Sequence, residues 1–145
     1  MTRTSARPFG ITALIIFFLV GSQISFVAGI SLLIPSAFFS VMWQLNPHGH
    51  DGLLRIGYWA VVLLISVSAF CAITAVGLWR RARWGHILAI VLIGINLLSD
   101  LVNTILGTEP RAIVGVPIAL LIILYLLTKR VRNYFSEPQA SSENV

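Results

Sequence analysis

Residues 9–34 read FGITALIIFFLVGSQISFVAGISLLI, 26 consecutive positions without a charged side chain. A hydrocarbon core of about 30 Å takes roughly 20 apolar residues as helix, and lipid offers no hydrogen bond to free backbone groups. The stretch therefore predicts a membrane-spanning helix. Pro35 follows and lacks the amide that a continuing helix needs. Arg3 and Arg7 ahead of the run also fit the start of a secretory signal. The run exceeds a signal's apolar core, however, and no Ala-x-Ala site follows, so a span is the expected outcome.

Three further runs meet the same demand. Residues 53–79 carry only Arg55, at the margin, and 84–106 hold Asp100 deep inside with His86 near the start. Residues 112–128 are at the short limit, with Lys129, Arg130 and Arg132 able to snorkel toward headgroups and extend the reach. Gly107 to Pro110 reads as the turn before the last run. Composition agrees, since 57% hydrophobic and 10% charged residues lie far from the mix of soluble domains. The fold class expected is an all-α membrane protein, a four-helix up-down bundle forming a single domain over residues 1–135. Residues 136–145 are expected to form a polar, disordered tail.

Charge orients the bundle. Arg3, Arg7, Arg80, Arg81, Arg83, Lys129, Arg130 and Arg132 flank one side, and Arg55 and Arg111 the other. Under the positive-inside rule both termini face the cytoplasm, so the net charge of +5 records topology rather than a nucleic-acid surface. Trp79 and Trp84 bracket the basic hairpin, while Trp43, Tyr58 and Trp59 fit the opposite interface. In the first outer loop Ser36 is placed to cap a short helix whose Phe38, Phe39, Met42, Trp43 and Leu45 suit an interfacial position. Asn46 to Gly52 reads as turn.

The polar minority inside the runs carries the functional question. Asn96, Asp100 and Asn103 recur at spacings of four and three, hence on one helix face. Counted by helical rise, Gln23 and Ser66 reach comparable depth, which predicts a polar cluster in the outer half of the bundle. Two readings apply. One is hydrogen bonding between helices, with Asp100 neutral or paired to Arg111 or Arg55; the other is a site for a lipid headgroup, quinone, pigment or small solute. Gly21, Ser25 and Gly29 form a small-xxx-small stripe suited to close approach by another helix, in this chain or in a partner subunit. Ser68, Ala72 and Ala75, and Gly115 with Ala119, offer similar strips.

Other chemistry finds little support. His48, His50 and Asp51 are competent metal ligands but have no fourth donor or scaffold, and His86 lacks a facing histidine for haem. Cys71 has no second cysteine or neighbouring base. No catalytic triad, phosphate loop or zinc-protease helix is present, and no cofactor is expected.

Arg7-Pro8-Phe9-Gly10-Ile11-Thr12, with Gly77-Leu78-Trp79 and Trp84-Gly85 around the hairpin, resembles small bacterial four-helix membrane proteins of an uncharacterised family. The similarity runs from Arg7 to about Leu127. It implies a bacterial inner-membrane location and a four-span fold, and brings no catalytic residues. With nearly two thirds of the chain in the four runs, the function expected is a non-enzymatic accessory or scaffolding subunit of a larger membrane complex. The alternative is a binding or transport module built on the polar cluster. Its expected partners are the bilayer and other membrane subunits or further copies of the chain, with no nucleic acid.

Overall fold

The computed structural model describes residues 8–34, 36–106 and 112–136. They form α1 (Phe9–Leu33), α2 (Ala37–Gln44), α3 (Pro47–Ile56), α4 (Tyr58–Trp79), α5 (Arg83–Leu106), α6 (Ala112–Leu127) and α7 (Lys129–Ser136). No strand occurs among the described residues. Three helices, α1, α4 and α5, are long and apolar enough to cross a membrane. A fourth span is reached only if α6 and α7, bent by 55°, count together.

Three stretches fold differently from the sequence reading. Asn46 to Gly52, expected as turn, instead opens α3: the Asn46 side chain accepts a hydrogen bond from the Gly49 amide at 3.0 Å, and Pro47 occupies the first helical position. Asn and Pro, read as turn residues, here act as an N-cap and a preset first turn. The run expected over 53–79 is accordingly broken. Gly57, at φ +65°, separates α3 from α4, a backbone conformation that costs a side-chain-bearing residue steric strain. The basic flank after residue 128 forms the separate helix α7, which Ser136 ends. The remainder of the expected tail lies outside the described residues, as do Arg3, Arg7, Pro35 and the 107–111 connection.

The chain divides into two compact units, Ile16–Ile73 and Met1–Ile15 with Thr74–Val145. In the first, α1 and α4 meet through small polar residues. Ser22 donates to the Ser68 carbonyl at 2.9 Å, their hydroxyls lie 3.2 Å apart, and both residues are buried. A Cβ on Gly29 would come within 3.0 Å of Ile65, so glycine sets that close approach. Ser31 donates to the Ala28 carbonyl at 2.7 Å and accepts from Trp43 Nε1 at 3.0 Å, which ties α2 to α1. Ser36 takes the N-cap position of α2 without a side-chain bond.

In the second unit, α5 packs on α6, and α7 on both. The α4–α5 connection is tight because two glycines face each other: a Cβ on Gly77 would lie 2.7 Å from Gly85 Cα and 2.6 Å from the Trp84 ring. The turn closes with Ala82 N donating to Gly77 O at 2.9 Å and Arg81 N to Leu78 O at 3.3 Å. This pair of bonds defines a Schellman motif, with Arg81 in the left-handed position at φ +54°. Gly10 of α1 lies directly against the Tyr125 ring. Ile11, Leu78, Leu126 and Val131 fill the interior, whereas large apolar side chains such as Phe17, Phe70, Ile95 and Leu121 stand exposed. Such a surface suits hydrocarbon rather than water.

Candidate functional site

Along the 24 residues of α5, the polar positions gather toward the C-terminal half. Asn96 Nδ2 donates to Asp100 Oδ2 at 3.1 Å, and Thr104 Oγ1 donates to the Asp100 main-chain carbonyl at 2.7 Å. The spacing of four makes both contacts intrahelical. The Asp100 carboxylate presses on Gly115 of α6, where a Cβ would collide with Oδ2. Gly115 therefore gives α6 the room to receive Asp100. Asp100, Asn103 and Thr104 are half-buried, and Asn96 is exposed. Asn96 lies 12 residues from Trp84, roughly 18 Å along the axis, well inside a span.

Of the expected cluster, Asn96 and Asp100 are brought into contact, with Asn103 on the next turn. Gln23 and Ser66 belong to the other unit; both are exposed, and Ser66 Oγ donates to Val62 O of its own helix at 2.7 Å. Of the expected ion-pair partners, Arg111 lies outside the described residues and Arg55 is exposed on α3. The Gly21, Ser25 and Gly29 stripe divides. Gly29 is packed, Ser25 is half-buried, and nothing lies within 4 Å of a Cβ on Gly21.

Sequence reasoning missed Ser22, one residue off the glycine stripe, although Ser22 makes the bond to α4. Thr104 was legible in principle, four residues after Asp100. Gly115 was noted only as a small residue, because its match to Asp100 depends on the register between two helices.

His50 and His86 are engaged elsewhere. The His50 ring stacks on Trp43 at 4.6 Å, and His86 Nε2 donates to the Leu126 carbonyl at 2.9 Å while its ring stacks on Phe135 at 5.0 Å. Among the described residues no three His, Cys, Asp or Glu side chains gather as a metal site.

Residues 10–129 match the family profile described as "Predicted membrane protein (DUF2127)". The chain belongs to this family. No curated protein and no solved structure matches it. Membership in DUF2127 agrees with the exposed apolar helices in making this a membrane protein. The matched stretch takes in the Asn96, Asp100 and Gly115 contact and both glycines of the hairpin.

Proposed function

We propose that this protein is a non-enzymatic accessory or scaffolding subunit of a larger assembly in a bacterial inner membrane. The observation that carries this reading is the exposed Asn96 amide inside an apolar span. One of its donors is used by Asp100, and the side chain remains exposed. Hydrocarbon cannot satisfy an amide, whereas a polar group on a neighbouring transmembrane helix can. The open flank of Gly21 offers a second place for close helix approach.

The same reading has four spans, the last α6 with its reach extended by the basic side chains that follow it, and both termini in the cytoplasm. The gathering of Arg81, Arg83 and α7 at one end of their unit supports that orientation, through Arg81 over the Tyr134 ring and Arg83 donating to Ser136 O at 2.9 Å. Exposed Val41 and Leu45 suit α2 to the outer interface.

Photocrosslinking in intact membranes tests the proposal. A photoreactive residue at Ser99, exposed one turn from Asn96, should give a discrete protein adduct. The adduct should disappear with Asn96→Leu and be absent from the same probe at exposed Leu121. Labelling of lipid or a small cofactor alone would favour the alternative, in which Asn96 and Asp100 hold a headgroup, quinone or solute.

A further inference from the structure

Helix α7 is sharply two-faced. Val131, Tyr134 and Phe135, at spacings of three and four, are buried with 1%, 6% and 3% of their surface exposed. Lys129, Arg130, Arg132 and Asn133 are all exposed. The buried face docks on the α4–α5 turn and the start of α5: Phe135 stacks on His86, and the Arg81 guanidinium lies 4.3 Å from the centre of the Tyr134 ring. Arg83 fixes the far end by donating to Ser136 O. Docking thus leaves the basic face outward at the same end as the α4–α5 turn, whose Arg80 and Arg83 are also exposed.

Among the described residues no carboxylate answers these groups. Asp51 and Asp100 are the carboxylates among the described residues, and neither lies on α7 or in the turn. Depth is set by length. The 16 residues of α6 rise about 24 Å, short of a hydrocarbon core of about 30 Å. Turning by 55° at Thr128 carries the chain into the headgroup layer at a slant rather than straight into water. Lys129 and Arg132, one turn apart on the face away from the buried aromatics, are spaced to share one phosphodiester, with Arg130 beside them on the same helix. The Tyr134 hydroxyl, buried with no hydrogen-bond partner, marks a docking surface built from packing and cation–π contact. The polar capacity of α7 is directed outward.

We propose that the outward face of α7, together with the α4–α5 turn, binds anionic phospholipid headgroups. Lys129, Arg130, Arg132 and Arg80 contact the phosphates, while Arg81, His86 and Arg83 hold α7 in place for them. An arginine or lysine near an anionic lipid surface adds a favourable term that accumulates with each charge.

The full chain, purified in a nonionic detergent, is titrated with phosphatidylglycerol or phosphatidylcholine, and its retained lipids and thermal midpoint are measured by native mass spectrometry and circular dichroism. The wild-type chain should retain and be stabilised by phosphatidylglycerol in preference. The triple variant Lys129→Gln, Arg130→Gln, Arg132→Gln keeps the buried face, and its preference should fall roughly a hundredfold. Arg55→Gln, an exposed charge on α3, should keep it. Should the triple variant not fold, the wild-type chain still decides: its preference should collapse between low and about 1 M salt. Equal retention of both lipids, a salt-independent preference, or an unaltered triple variant would overturn the proposal. So would displacement of the lipid by excess inorganic phosphate, or binding of RNA in place of lipid.

Discussion

At Asp100 a carboxylate meets the bare backbone of the next helix, and that contact decides what substitutions there do. Gly115→Ala should destabilise the α5–α6 pair by roughly 1–3 kcal/mol, because its Cβ would overlap Asp100 Oδ2. Combining it with Asp100→Ala should recover part of the loss, and a thermal double-mutant cycle would show strictly additive losses if the two residues do not touch. Asp100→Asn keeps a partner for Asn96, whereas Asp100→Leu removes it and enlarges the side chain, so only Leu should lower the thermal midpoint if the role is structural. Tyr134→Phe should leave stability unchanged or raise it by about 1 kcal/mol, since the hydroxyl it removes is buried without a partner. A measured loss would mean that the hydroxyl is bonded after all. The spacing of Asn96, Asp100 and Asn103 was visible in the sequence, because period alone places residues on one face. Gly115 was not recognisable as the receptor of Asp100, because nothing in a single chain's periodicity fixes the register of one helix against another.

Among the helices, the long apolar ones and the short α2 behind Ser36 were legible, whereas α3 and α7 were not. Lipid demands continuous hydrocarbon, and α1 and α5 meet that demand within a residue or two of the expected ends. α3 has two glycines, two histidines and a proline in ten residues, a composition that propensity assigns to turn. Its helix depends on Asn46 capping and on a glycine stop at Gly57, which are local devices that outweigh composition. α7 was present in the sequence as Val131, Tyr134 and Phe135 at helical spacing, but Lys129, Arg130 and Arg132 drew the reading to side chains that snorkel to the headgroups and lengthen the last span. Gly57→Ala should cost about 1–2 kcal/mol through its positive φ. Gly52→Ala, with open space around a Cβ on the same helix, should be neutral or stabilising. Thermal melts of the pair separate backbone strain from general sensitivity of the loop.

For the molecule as a whole, membrane residence was legible from composition, while the division into two compact units was not. Contacts distant in sequence, such as Gly10 with Tyr125 and Ser22 with Ser68, decide which ends of α1 and α4 belong together. Orientation gives the prediction proper to this scale. A C-terminal alkaline phosphatase fusion should be inactive and a cytoplasm-dependent fluorescent fusion should be bright; the opposite pattern would reverse the topology.

The Schellman turn at the hairpin tip joins two requirements in one residue. Arg81 occupies a backbone conformation that glycine adopts more easily, yet its side chain reaches across to the Tyr134 ring. Arg81→Gly would relax the turn and at the same time remove one of the contacts that hold α7, two changes of opposite sign and each of about 1 kcal/mol. A melting curve would register little. A protease would not be so indifferent, because a more weakly held α7 opens more often while the hairpin stays shut. Here a substitution that leaves the melting midpoint almost unmoved should still raise the rate at which α7 is cut.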